Sequence, residues 1–224
     1  MVAPGIGLSY AMGRSDAVPR FFLPHVRPGM CVFDVGANKG QMTLLFAALV
    51  GPTGRVVAIE PAPAEFASLT ANVTINTLAN VRPIQAAAAD REGEMTFTYA
   101  AGRPSQGKLQ DVERTYVIPE ADRFPVRTLS LDSLVGEHAR PDVIKIDVEG
   151  AAASVLRGAA RLLAASSPKI YVEMHGPEEQ AGVRDELLSR GYVAETLDGV
   201  RVPDPTAGWH NPLWCYRPAD RTRT

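Results

Sequence analysis

Four short stretches of this sequence carry residues whose types and spacing can do chemistry. The first is Asp34-Val35-Gly36-Ala37-Asn38-Lys39-Gly40. Glycines at 36 and 40 let the backbone turn sharply and admit a ligand closer than a Cβ would permit, and a helix opening just beyond offers free amide groups. Alone, such a loop is either the seat of a nucleotide-like ligand or an ordinary strand-to-helix turn. The second stretch is Glu60-Pro61, about twenty residues on, where an acid ending a second strand can accept both hydroxyls of a ribose. Gly36, Ala37, Asn38, Gly40 and Glu60 are therefore expected to hold such a ligand. Ala86-Ala87-Ala88-Ala89-Asp90 is small enough to admit a flat ring such as adenine, and it suits core packing equally; Ala89 and Asp90 are carried as binding positions on the first reading.

The third stretch is Lys145-Ile146-Asp147-Val148-Glu149-Gly150. Period-two geometry puts Lys145, Asp147 and, if the strand lasts, Glu149 on one face. A central strand buried on both sides should be nearly all apolar, so these charges need compensation. They form either a Lys145–carboxylate pair with a helix cap or a polar wall at the mouth of a cleft. In the fourth stretch Tyr171, Glu173 and His175 share a face in the same way. Ligands of open α/β sheets bind at the carboxyl edge, so Asp147, Glu149, Glu173 and His175 are expected to converge there. His175 is the candidate base, because an unperturbed imidazole titrates near neutrality. His25, His138 and His210 lie in loop-like sequence without such partners.

These residues need a frame. Strands are expected at Cys31–Val35, Arg55–Ile59, near Val81–Ala87, at Asp142–Val148 and at Lys169–Met174, with helical spacing between them, which argues for a parallel sheet. Met95–Ala100 alternates and reads as a strand outside the repeat. Residues 102–125 show little periodicity and read as an inserted loop of the kind that carries specificity, while 1–29 form a lead-in. An Ala-rich helix is expected to about Ala165, another to about Arg190, and late strands at Tyr192–Leu197 and Leu213–Arg217.

At 224 residues and 46% hydrophobic composition, one domain over 1–224 with a substantial core is expected. A net charge of -2 with interspersed signs gives no footprint for nucleic acid. Neither a leader nor a membrane span is expected, so a cytoplasmic protein that binds no membrane follows. Cys31 and Cys215 sit in apolar runs and read as buried thiols.

Taken in order, Asp34-Val35-Gly36-Ala37-Asn38-x-Gly40, Glu60-Pro61, Lys145-Ile146-Asp147-x-Glu149-Gly150 and Glu173-x-His175 resemble the FkbM family of S-adenosylmethionine-dependent methyltransferases. The resemblance covers roughly residues 28 to 217. It implies a Rossmann-like class I methyltransferase fold: a seven-stranded, mostly parallel α/β sheet with an antiparallel last strand and helices on both faces. It implies the methyl donor on the glycine loop, with Asp34 either orienting the loop or meeting the methionine end. It also implies a hydroxyl acceptor on a small molecule, sugar or natural product. One departure is Ala152, where family members often carry Glu, so no role of that carboxylate carries over.

On this reading His175, supported by Glu173 or Asp147, receives the hydroxyl proton, and Asp147 also borders the cofactor. A second reading makes Asp147, Glu149, Glu173 and His175 part of a magnesium site that acidifies the hydroxyl. Residues 102–125 and Trp209-His210-Asn211 are candidates for the acceptor lining. The rivals are a nicotinamide-dependent oxidoreductase, for which the third glycine is missing, and a non-catalytic binding protein that kept the fold.

Overall fold

The computed structural model describes residues 17–98, 108–109, 123–135, 140–202 and 212–218. Helix α1 (Ala17–Phe22) leads into β1 (Cys31–Val35), α2 (Gln41–Val50), β2 (Arg55–Ile59), α3 (Pro63–Ile75) and β3 (Val81–Ile84). The chain then leaves this alternation for β4 (Ala87–Ala88), β5 (Gly93–Thr98), β6 (Lys108–Leu109), β7 (Arg123–Leu129) and the short α4 (Leu131–Leu134). It resumes with β8 (Val143–Asp147), α5 (Ala152–Arg157), α6 (Ala160–Ala165), β9 (Lys169–Glu173), α7 (Pro177–Leu188), β10 (Val193–Thr196) and β11 (Leu213–Tyr216).

The main sheet has seven strands in the order β10-β11-β9-β8-β1-β2-β3 among the described residues. Its five strands from β9 to β3 are parallel, and β11 inserts antiparallel between β9 and β10. This is the Rossmann-like arrangement expected. Strand alternation sorts the core onto two faces. Phe33, Val35, Ile144, Ile146, Ile170 and Val172 pack under α5, α6 and α7 through Val155, Leu156, Leu162, Leu163, Val183 and Leu187. On the other face Val32, Val56, Val143, Tyr171 and Trp214 meet Phe22, Phe46 and Val50 of α1 and α2, while Leu69 of α3 covers Ala58. Each such large apolar side chain, fully buried, contributes roughly 1.5–3 kcal/mol before entropy is counted.

Three details differ from the sequence reading. The third strand stops at Ile84, and Ala87–Ala88 join a second sheet of order β4-β7-β5-β6. Strand β7 begins inside the expected 102–125 loop. Pro125 obscured it, since proline cannot donate to a ladder; here it faces Thr96 of β5, while β4 reaches only Thr128 and Leu129 on the other side. The Ala-rich helix divides into α5 and α6 at Gly158, where a Cβ would stand 1.9 Å from the Ala89 carbonyl oxygen. Apart from residues 108–109 and 123–125, the 102–125 stretch lies outside the described residues, as do His138 and Trp209-His210-Asn211.

Both thiols are buried, and burial pushes Cys31 up to about 11 and Cys215 higher still. His25 packs at a tilt against both Phe21 and Trp214, with ring centroids 4.4 and 5.0 Å away. Burial, with Lys169 and Arg27 nearby, holds its pKa down despite Glu195. No helix among the described residues is long and apolar enough to cross a membrane.

Candidate active site

From β1 the chain moves outward to β2 and β3, and from β8 it moves the other way to β9. A crevice therefore opens at the carboxyl ends of β1 and β8, the position where open α/β sheets bind ligands. The loop after β1 is built around two glycines, and the chain itself explains both. Gly36 has φ +76°, and a Cβ there would stand 1.9 Å from the Asp147 carbonyl oxygen. Gly40 precedes α2 with φ +87°, and its Cβ would strike Leu69 Cδ1 at 2.6 Å. These glycines thus make room for β8 and α3 whether or not a ligand is present, and Gly36 also lines the crevice. Ala37 is buried against Ala58 and Leu69 rather than facing the crevice.

Between these elements lies a cleft of about 320 Å³, lined by Gly36, Asn38, Glu60, Ala62, Ala86, Ala87, Ala88, Phe97, Asp147, Glu149, Glu173 and His175, among others. At one end Glu60 is 6% exposed. Its Oε2 accepts the Asn38 amide and its Oε1 the Ala62 amide, at 2.8 and 2.9 Å. Burial nevertheless outweighs these bonds and raises the carboxyl to about 7. Asn38 takes the left-handed conformation, φ 51°, that asparagine tolerates. Ala62, Ala87 and Phe97 form an apolar cluster on this side.

Ala89 and Asp90 fall outside the lining of this cleft, which takes in Ala86–Ala88 instead. The Ala89 amide donates to Leu129. Asp90 turns outward, its amide on Ser154 Oγ and its carboxylate 3.5 Å from Arg157.

At the other end a polar seam crosses the sheet face beneath α2. Thr43 Oγ1 of α2 donates to Asp34 Oδ2 at 2.6 Å. Lys145 Nζ stands 3.3 Å from Asp34 Oδ1 and 3.4 Å from Asp147 Oδ2, and donates to the Gly36 carbonyl at 2.8 Å. Burial alone would depress the lysine, but the two carboxylates outweigh it and hold the ammonium above its usual value. The charges therefore pair and Asp147 also walls the cleft, whereas no side chain at the N-cap of α5 provides the expected helix cap. Asp34 is fully buried and orients the loop through Lys145 rather than bordering the cleft.

Asp147 Oδ1 meets His175 Nε2 at 3.3 Å, and Glu149 Oε2 lies 3.9 Å from His175 Nδ1. Burial would raise Asp147, yet Lys145 and His175 hold it down at about 2. The hydrogen bond to Asp147 raises His175 above its ordinary value, against its own burial, with Glu149 and Glu179 adding to the rise. Glu173 accepts from Tyr171 Oη at 3.3 Å, and burial and Asp147 push its carboxyl up. Ligand atoms of Asp147, Glu173 and His175 come within 4.8 Å of one another. Each oxygen of Asp147 also faces a partner within the protein, one the lysine and one the histidine.

Sequence reasoning missed Thr43, Phe97 and Glu179. Phe97 sits in a recognisable alternating strand, but its place on the cleft depends on the second sheet. Ala152 is fully buried, and its amide is held by Glu179.

A glycine loop, an acid after β2 and a charged β8 at the switch point of such a sheet define a class I methyltransferase-like protein. Residues 34–194 match the model of the methyltransferase FkbM domain, and the chain belongs to that family. It is similar to the 31-O-demethyl-FK506 methyltransferase FkbM of Streptomyces tacrolimicus, with 32% identity over 77% of this chain and 76% of that protein. It is also similar to the hexuronic acid methyltransferase AglP of Haloferax volcanii, with 28% identity over 83% of this chain and 72% of the relative. Among solved structures, a methyltransferase FkbM from Methylobacillus flagellatus superposes with a TM-score of 0.59 at 16% identity, and the alignment covers 94% of this chain and 57% of that one. The family implies S-adenosylmethionine as methyl donor.

Proposed function

We propose that the chain transfers the methyl group of S-adenosylmethionine to a hydroxyl oxygen of a small molecule, sugar or natural product. The single observation that carries this reading is His175, held by Asp147 on the rim of the cleft that Glu60 closes at its other end. The two curated relatives named above, which act on a natural product and a sugar acid by name, support the class of acceptor.

The residues present fit the donor. A carboxylate offers about four acceptor sites; two on Glu60 are taken by backbone amides, which leaves capacity for a ribose diol. Ala86, Ala87 and Phe97 offer an apolar surface to a purine, and Asp147 offers charge to the amino-acid end. When bound, the donor supplies an electrophilic methyl group on a sulfonium, whose sulfur keeps the bonding electron pair as the methyl leaves. The protein's part is to hold the acceptor oxygen in line, exclude water and take the hydroxyl proton onto a ring nitrogen of His175. Asp147 then stabilises the imidazolium, and Lys145 keeps Asp147 ionised.

The experiment measures transfer of labelled methyl across a panel of hydroxyl acceptors by the wild type and His175→Ala, with calorimetry against S-adenosylhomocysteine. General-base catalysis contributes about 10²–10⁴-fold, so turnover should fall by that order at unchanged cofactor affinity. Unchanged turnover would sink the base assignment. Binding without transfer to any acceptor would favour a non-catalytic protein, and binding of a nicotinamide cofactor instead would favour the oxidoreductase. Turnover should survive chelation if His175 takes the proton unaided; its loss to EDTA and return with Mg²⁺ would support the metal reading.

A further inference from the structure

His175 is gripped at both ends. Asp147 of β8 holds its ring, and its backbone amide donates to Glu179 Oε2 at 2.5 Å. Glu179 lies in the first turn of α7 and is 7% exposed, a rare position for a carboxylate without a task. Its other oxygen, Oε1, accepts the amide of Ala152, the first residue of α5, at 2.8 Å. One buried carboxylate thus ties the loop after β9 to the helix that follows β8. The reach depends on close packing of the two helices: a Cβ on Gly182 of α7 would lie only 2.8 Å from the Ala153 Cβ of α5.

We propose that Glu179 is the positioning residue of His175, fixing its backbone against α5 so that the ring stays on Asp147. Neither bond reaches the cleft, so Glu179 acts through His175 and touches no reactant. The charged groups that face His175 are Asp147 of β8, Glu149 just after it, Glu173 of β9 and Glu179 itself. Glu179 is the one that also holds its main chain. A shift of the His175 backbone loosens the Asp147 contact, and the ring then titrates closer to an ordinary histidine.

The proposal rests on the reading of His175 as the proton acceptor, but its test needs neither donor nor acceptor. In the full-length protein, amide hydrogen exchange at His175 and Ala152 and the titration midpoint of the His175 ring are followed by NMR for wild type, Glu179→Gln, Glu179→Ala and Glu178→Ala. Glu179→Ala should speed exchange at both amides at least about tenfold, since each loses a charge-assisted bond. It should also lower the ring midpoint toward 6.5. Glutamine loses the same charge but keeps one accepting oxygen, so Glu179→Gln should fall between in both readings, and the step from glutamine to alanine reports the tether apart from the charge that Glu179 itself adds; if the alanine variant does not fold, exchange at the two amides of Glu179→Gln decides the matter. The exposed neighbour Glu178 should change neither reading. A ring midpoint that stays at the wild-type value in the Glu179 variants would make the residue merely structural and overturn the proposal, as would an equal effect of Glu178→Ala. A His175→Ala enzyme with unchanged turnover would end the base reading and leave these exchange rates and the clamp untouched.

Discussion

Glu60→Gln probes the cofactor end of the cleft while keeping the side chain's bulk. In the free protein burial is the dominant influence on Glu60, and its carboxyl is raised from an ordinary 4.5 to about 7. Such a raised group adds stability that is complete below 4.5 and lost as pH rises through about 7. A ribose diol donating to Glu60 favours the carboxylate, so binding should release a proton in the neutral range. If the bound group returns to its ordinary value, the free protein holds the carboxylate in about one molecule in eleven at pH 6 and about ten in eleven at pH 8. Affinity for S-adenosylhomocysteine should then rise about tenfold over that span. The demethylated cofactor is the right probe because its neutral sulfur does not couple to His175. Calorimetry at pH 6, 7 and 8 on wild type and Glu60→Gln gives the comparison, which cancels the ligand's own titration. The variant should lack the wild type's additional slope. At pH 8 it should bind about 10–150-fold more weakly, for one charge-assisted bond of about 1.5–3 kcal/mol. A wild-type affinity with no more pH dependence than the variant's would refute the placement of the ribose on Glu60.

Lys145→Met leaves Asp34 buried without its counter-ion and should destabilise the fold by about 3–5 kcal/mol in urea titration; a loss below about 1 kcal/mol would mean that the carboxylates relax into water. Gly36 and Gly191 share nearly the same φ, +76° and +77°, but only Gly36 has a neighbour that a Cβ would meet, at 1.9 Å. Gly36→Ala should therefore lower the melting temperature well beyond Gly191→Ala and abolish S-adenosylhomocysteine binding, whereas equal shifts would show that conformational strain is the whole effect. Because Asp147 raises His175, the rising limb of the rate profile should have its midpoint above 6.5, and the stability that this pair adds should be complete below 6.5 and fade as pH rises through that raised midpoint. Asp147, held at about 2, should in turn lose its contribution only as pH falls from 3.8 through about 2. Rate profiles and thermal melts against pH check both limbs.

What the sequence made legible was whatever depends on local period. The charges at Lys145 and Asp147 stood out because a doubly covered strand has no other use for them, and Glu60 because it ends β2 at the right distance from the loop. Features set by contacts remote in sequence were not legible. At the break between α5 and α6 Gly158 leaves room for the Ala89 carbonyl, which a Cβ would meet at 1.9 Å. Strand β7 was hidden by Pro125, which among the described residues pairs with β5 alone, since β4 reaches only Thr128 and Leu129. Glu179 looked like one more acid in a first helical turn, a place where charge is favoured anyway. Only the packing of α7 on α5 aims it inward.

The same distinction changes the meaning of the glycine loop. Read locally, Gly36 and Gly40 invite a ligand; in three dimensions each is needed even without one, because β8 and Leu69 already occupy the space a Cβ would take. The glycines alone therefore say little about binding, which is why such loops are weak signals. What ties this loop to the cleft is how it is held. Glu60 takes the Asn38 amide from the side of β2, and Lys145 takes the Gly36 carbonyl from the side of β8. The same lysine pins Asp147, which in turn holds His175. Glycine loop, Glu60 and charged strand are three motifs in the sequence but one connected device in the fold. A change at any of them should reach the others, because groups in one hydrogen-bonded network do not contribute additively.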